Sequence, residues 1–253
     1  MDFLYRNMHM EQKKWEASTQ ITIEEDINVP DAKKDCASIL LKDAVLLVEE
    51  TRVGRDQIVV KGSLKYQILC MAGNDLESLC GELPFEEVMN VAGAIPGDFA
   101  IAKGVIEDFK ASMINTRKLA IQSIVMLYLT NHQLMEEAWT EDIANCGDGV
   151  QKKRATKDVL QLAQKKTDIF RVKEEIEVPG GYPAVQSVLW KRVTLGDFET
   201  RAMDGRISLK GELHCHIIYV GQGQTPIVRM LNKKVPFHGI VECSECESCR
   251  PSV

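Results

Sequence analysis

The sequence lacks any apolar stretch of signal-peptide or membrane-spanning length. Its opening residues, MDFLYRNMHMEQKKWEAS, carry charges throughout, whereas a secretory leader needs a continuous apolar centre. The longest apolar run, Ile121 to Leu129, is broken by Gln122 and Ser123 and falls far short of the ~20 residues with which a helix crosses a bilayer. Membrane insertion is therefore not expected, and the cytoplasm is the expected compartment. Basic tracts interleaved with aromatics are missing as well. Lys and Arg number 31 against 37 Asp and Glu, the formal charge is −6, and aromatics make up only 6% of the chain. Nucleic-acid binding draws on a positive surface that displaces counterions, so no nucleic-acid partner is expected. The eight cysteines follow no regular spacing, which suits free thiols in a reducing compartment better than a disulfide framework.

Signatures of chemistry are also scarce. No nucleophile-elbow pattern is present. Gly221-Gln222-Gly223-Gln224 lacks the Lys-Ser/Thr of a phosphate loop and reads as a hairpin turn. No catalytic residues and no cofactor are expected, and the chain reads as a non-enzyme.

What the sequence does contain is a repeat. With an offset of 149, residues 21–64 fall on residues 170–213 without a gap. Ile27, Val29 and Pro30 meet Ile176, Val178 and Pro179; Lys42 meets Lys191; Arg52 meets Arg201; Lys61, Gly62 and Leu64 meet Lys210, Gly211 and Leu213. After a three-residue insertion, Pro84-Phe85 meets Pro236-Phe237. The period is too long for a solenoid unit, so each copy is expected to be a domain. The expected layout is a lead segment over 1–19, a first β domain over 20–132, a connector over 133–168 and a second β domain over 169–253. The second copy is expected to be truncated, lacking a counterpart of Ala94–Thr130, which suggests a fragment.

The fold class expected is all-β, mainly an antiparallel sandwich or barrel-like arrangement, in tandem domains with a short helical connector. Ile58, Val60, Leu64, Tyr66 and Ile68 alternate onto one face, as a strand requires. Gly54 and Gly205 stand where hairpin turns are expected, and Gly62 and Gly211 inside strands suggest a bulge or a close backbone approach. Phe99–Met113 and Leu119–Thr130 flank a hairpin tip at Asn115-Thr116-Arg117-Lys118, although a helix competes over Leu119–Thr130. Gln133–Ile143 reads as a short helix, Gly147-Asp148-Gly149 as a turn, and Gln151–Lys166 as either helix or strand.

These motifs, in this order, resemble the SPOCS domain of spore-coat morphogenesis proteins. The residues that carry the resemblance are Ile27-Asn28-Val29-Pro30-Asp31-Ala32, Val60-Lys61-Gly62-Ser63-Leu64, Pro84-Phe85-Glu86-Glu87, Ile106-Glu107-Asp108 and Ile114–Leu119, with Gly211-Glu212-Leu213 and Pro236-Phe237-His238-Gly239 in the second copy. The resemblance covers essentially all of residues 8–253. It implies a structural role in spore-coat assembly, encasing the forespore from the mother-cell cytoplasm. The implied partners are coat morphogenetic proteins, above all the ATPase SpoIVA of the coat's basement layer. Family members typically continue into a C-terminal LysM domain associated with docking to that ATPase; this chain stops inside the second repeat, which puts direct docking in doubt.

Several residues invite chemistry and have a plainer explanation. Cys243, Cys246 and Cys249 are spaced like metal ligands, with His238, His214 or His216 as a fourth. Without an evident fourth ligand, an acidic loop that happens to hold cysteines is preferred, and a metal-binding or redox module is kept as the alternative function. Alternation puts Cys215 with the apolar residues and leaves His214 and His216 on the polar face. Glu24-Glu25-Asp26 and Glu174-Glu175 are read as solvated or cross-strand paired, not as an acid–base pair. The repeated cations Lys42, Arg52, Lys61, Lys191, Arg201 and Lys210 are read as structural, pairing with repeated carboxylates. The residues expected to determine the fold are Pro30, Gly62, Pro84 and Phe85, with Pro179, Gly211, Pro236 and Phe237.

Overall fold

The structure is a computed structural model that describes residues 2–146, 149, 151, 153, 155–156, 169–223 and 227–243. Nine strands form three antiparallel three-stranded sheets. In chain order the strands are β1 (Asp2–Asn28), β2 (Ser38–Val53), β3 (Gln57–Ala72), β4 (Asp75–Asn90), β5 (Phe99–Asn115), β6 (Lys118–Ala144), β7 (Val185–Met203), β8 (Arg206–Gly221) and β9 (Ile227–Glu242). The sheets run β1-β6-β5, β2-β3-β4 and β7-β8-β9. Among the described residues there is no helix, so none is long and apolar enough to cross a membrane. The all-β expectation holds.

The first two sheets pack face to face. Alternation puts Ile58, Val60, Leu64 and Ile68 of β3 on one side, and Leu119, Ile121, Val125, Leu127 and Leu129 of β6 on the other; together they form one core from which water is excluded. Pairing every strand of one sheet with a covering sheet is the usual way for amphipathic strands to bury their apolar side. The seam is tight at one corner, where Leu46 of β2 lies so close to Gly104 of β5 that a Cβ there would stand 2.1 Å from Leu46 Cδ2. The Leu119–Thr130 segment is thus a strand. Ile124 and Met126 make its second face apolar too, but its backbone is paired on both sides, to β1 and to β5.

The sheet β7-β8-β9 repeats β2-β3-β4 in register. Lys42 opposite Ile68 recurs as Lys191 opposite Ile217; Arg52 opposite Val59 recurs as Arg201 opposite Ser208; Gly62 opposite Phe85 recurs as Gly211 opposite Phe237. Even the irregularity recurs: the ladder slips between Val48 and Glu50 and again between Leu195 and Phe198, each time beside the strand glycine. The turn after the repeated proline recurs too, with Lys33 N–H donating to Pro30 O at 2.9 Å and Tyr182 N–H to Pro179 O at 3.1 Å. At the hairpin, the left-handed residue is Asp56 (φ 56°) in one copy and Gly205 (φ 65°) in the other. Gly54 is therefore not the residue that needs positive φ; Asp takes that role, as short polar side chains can.

Two expectations are corrected. Residues 133–143 are not a helix but the far end of β6, and residues 2–19 are not a detached lead but the near half of β1. The two segments supply each other's backbone partners from Gln12↔Gln133 to Phe3↔Ile143. Satisfying these groups across strands outweighs the local preference of a polar, Glu-rich segment for helix. His9 Nδ1 lies 3.3 Å from Glu136 and Arg6 3.5 Å from Glu141, across the ribbon. Since β5 begins at Phe99, opposite His132, β1 and β6 run on beyond it as a two-stranded ribbon.

One part of the repeat is not reproduced. Ile21–Asn28 lies in β1, whereas its sequence counterpart Phe170–Glu177 is not a strand. In the first copy β6 pairs with this segment; among the described residues nothing in the second copy does. Gln151–Lys166 falls almost wholly outside the described residues, as do Gly147 and Asp148 of the expected turn.

Candidate functional site

The fold-determining residues come together at one station in each copy. Gly62 lacks a side chain because the Leu47 carbonyl oxygen would stand 2.1 Å, and Phe85 Cζ 2.7 Å, from a Cβ placed there. The Phe85 ring occupies the space a side chain on the neighbouring strand would need. Gly211 yields the same space to Phe237, whose Cζ would be 2.7 Å away. Pro84 and Pro236 stand on β4 and β9, which are edge strands, where a missing N–H costs least.

A second station is built around Arg117, at the tip of the β5–β6 hairpin. Its Nη1 donates to Lys33 O at 2.8 Å and its Nη2 to Val29 O at 3.0 Å. Asp31 and Asp35 flank it at 3.2 and 3.3 Å. Thr116 adds its carbonyl, which accepts from Cys36 N at 2.8 Å. The planar five-donor guanidinium suits this many-pronged hold. The loop between β1 and β2, with Pro30 in it, is thereby tied to the opposite sheet. Reading the sequence identified the tip but not the clamp, since no spacing pattern links Arg117 to a loop some eighty residues away.

A third node joins β1, β6 and the approach to β5. Asp98 accepts from Asn131 Nδ2 at 2.8 Å and from the Ile95 amide at 3.3 Å, and meets Lys14 at 3.1 Å. Burial alone would raise the Asp98 carboxyl; Lys14, Asn131 and the Ile95 amide outweigh it and hold the group below the usual carboxylate range. At the Arg117 end of the sheets, burial followed by a hydrogen bond with Cys36 pushes the Cys70 thiol up to about 12. Both thiols are inert packing groups as they stand.

The repeated cations are surface residues. Lys61 pairs with Glu86 at 2.7 Å and Arg52 with Glu50 at 2.5 Å, with all four side chains more than a third open to water, where such pairs contribute little. Lys42 lines a shallow depression with Glu24, Glu25 and Asp26. Within that acidic group, Asp26 pairs with Lys118 at 2.7 Å and Glu24 accepts from Gln122. Lys191, Arg201 and Lys210 have no ion-pair partner among the described residues. His238 stands where the first copy has Glu86, and its Nε2 lies 3.1 Å from Ser208 Oγ. Arg201, Lys210 and His238 line a second shallow depression on the outer side of the sheet.

Among the described residues the candidate metal ligands are not assembled. Cys243 is the counterpart of Val91: both are buried, and the Val91 N–H bond to Asp56 O (2.9 Å) recurs as Cys243 N–H to Gly205 O (2.9 Å). Cys243 is disulfide-bonded, so it departs from the free-thiol expectation and its sulfur is not offered to a metal. Cys246 and Cys249 lie outside the described residues. His216 Nδ1 is 2.8 Å from Asn232, and His214 lies 3.6 Å from Glu212, while Cys215 between them is buried. No group of three or more His, Cys, Asp or Glu is placed to hold a metal among the described residues.

What remains available for function is strand surface. Val188, Val193 and Leu195 of β7 and Val228 and Met230 of β9 are exposed, as are Phe3, Tyr5 and Trp139 on the β1–β6 ribbon. No curated protein matches the chain, and no solved structure does. One family model matches it twice, over residues 35–114 and 184–251, under the description SipL, SPOCS domain. These are the two registered copies, each beginning at the repeated sheet and containing its glycine–phenylalanine station. The chain belongs to the SipL family, and it carries the SPOCS domain in tandem.

Proposed function

We propose that the chain is a non-enzymatic assembly module of the spore coat, acting at the forespore surface on the mother-cell side. Family membership carries this reading. The surface supports it: strand faces and edges with exposed apolar residues serve docking. Two copies of one sheet in one polypeptide double the contacts available to a repetitive layer, so weak contacts add through effective concentration. The partner proposed is the coat-basement ATPase SpoIVA. The test is a pull-down of the tagged protein from sporulating cells, with localisation by fluorescence. Recovery of SpoIVA and a fluorescent shell around the forespore is expected; diffuse fluorescence with no coat component recovered overturns the reading.

A further inference from the structure

The second sheet has a side whose cover can be read from its twin. In the first copy the inner face of β2-β3-β4 is closed by β1-β6-β5, and Ile58, Val60, Leu64 and Ile68 are wholly shielded from water. Their counterparts Ile207, Leu209, Leu213 and Ile217 are only half-buried. The edge is barer still. Leu46, which packs into the core against Gly104 of β5, has Leu195 as its counterpart, and Leu195 is 57% exposed. Val193, the counterpart of half-buried Ala44, is 59% exposed.

The position of β1 is already half taken. Phe170, counterpart of Ile21, leans on Phe237 with ring centroids 6.1 Å apart and touches Gly239. Phe170 thus sets the start of the segment Phe170–Glu177 beside β9, as β1 approaches β4 in the first copy. The segment makes no backbone hydrogen bond to any strand among the described residues. Backbone groups without a strand partner beside an apolar face that is buried at Cys215 and Tyr219 but only half-covered at Ile207, Leu209, Leu213 and Ile217 suit strand addition.

We infer that the inner face of β7-β8-β9 is a docking site for a β-hairpin patterned like β5–β6. One strand of that hairpin pairs antiparallel with Phe170–Glu177 and lays apolar residues at every second position on Ile207, Leu209, Leu213 and Ile217; the other covers Leu195. Strand pairing gives affinity and the alternate apolar side chains give register. The tip differs from that of the first copy: Asp31 and Asp35, which flank Arg117, correspond to Gly180 and Ala184. The incoming hairpin therefore needs no arginine at its tip. The docking rests on the repeat alone, so it stands or falls independently of the pull-down for SpoIVA.

The test uses the full chain and, as probe, a synthetic peptide of residues 99–131, the chain's own β5–β6 hairpin. A second form of the chain carries the same segment appended after Val253, which removes any dependence on the peptide folding alone. Amide exchange of residues 170–177 is expected to slow at least tenfold in the appended form and, at saturation, with the peptide, while binding of an apolar dye falls. Leu195→Asp, at a position already open to water, is expected to abolish both effects with the sheet intact by circular dichroism; Lys210→Glu on the opposite face is expected to leave them. The inference is overturned if residues 170–177 exchange at the same rate in the appended form. It is equally overturned if the unmodified chain forms a dimer that Leu195→Asp dissociates, because two copies would then cover each other's sheets.

Discussion

Replacing Gly62 by alanine tests whether the glycine–phenylalanine station fixes the first sheet. The added Cβ would stand 2.1 Å from the Leu47 carbonyl oxygen and 2.7 Å from Phe85 Cζ. The ring can swing, but the carbonyl belongs to a strand paired along β3, with Leu47 opposite Ser63. Leu47 must therefore withdraw by over an ångström, opening the ladder beside an existing irregularity. Overpacking of this kind costs about 1–3 kcal/mol, and each ladder hydrogen bond lost adds about 1 kcal/mol. Alanine's better strand propensity returns only about 0.5–1 kcal/mol. With one ladder bond lost, a net loss of about 2 kcal/mol is expected. Gly211→Ala meets only side-chain atoms, Phe237 Cζ at 2.7 Å and Phe198 Cβ at 2.8 Å, and is expected to cost about half as much. The assay is urea unfolding followed by tryptophan fluorescence, in a Trp190→Phe background, so that Trp15 and Trp139 report the first unit alone. Adding Phe85→Leu should return only part of the Gly62→Ala loss, because the carbonyl clash stays. A Gly62→Ala loss under about 1 kcal/mol, or complete recovery with Phe85→Leu, would refute the backbone-contact explanation.

Three further outcomes follow from the same geometry. Arg117→Lys is expected to cost about 1–3 kcal/mol, because one ammonium cannot reach Val29 O and Lys33 O together; hydrogen exchange over residues 29–36 should quicken, and unchanged exchange would count against the clamp. The carboxyl of Asp98 is depressed in the folded state, so its contribution is present above the unfolded value near ~3.9 and is lost as pH falls through the lower folded value. Urea midpoints of the parent should therefore drop more steeply below about pH 4 than those of Asp98→Asn, and parallel curves would sink the assignment. Among the described free thiols, exposed Cys80 should react with a thiol reagent at once, whereas buried Cys36 and Cys70 should react only as the first unit unfolds.

The strands of the repeat were legible because alternation and the 149-residue offset both act locally along the chain. Ile58 through Ile68 share a face whatever covers it, and Gly62 announces a close approach before the approaching atom is known. The β1–β6 ribbon was not legible. Glu136, Glu137 and Ala138 favour a helix on their own, and their partners lie more than a hundred residues earlier. The same distance hid Arg117 and Asp98, whose roles depend on which loop or lysine the packed sheets bring near. Positive φ at Asp56 was missed because Gly54, two residues before it, looked the better turn residue. For the cysteine cluster, spacing offered a metal site only as the lesser reading, and the repeat register adds that Cys243 replaces a core valine.

The ribbon also sets how the first unit answers to force. Asp2 and Ala144 are directly paired, so the start of β1 and the end of β6 lie at the same end of the ribbon. A pull separating them loads one rung at a time and unzips the rungs in sequence, at low tension, before any load reaches the packed sheets. Under such a load the first unit would lengthen by peeling rather than tear, and would close again when slack returned.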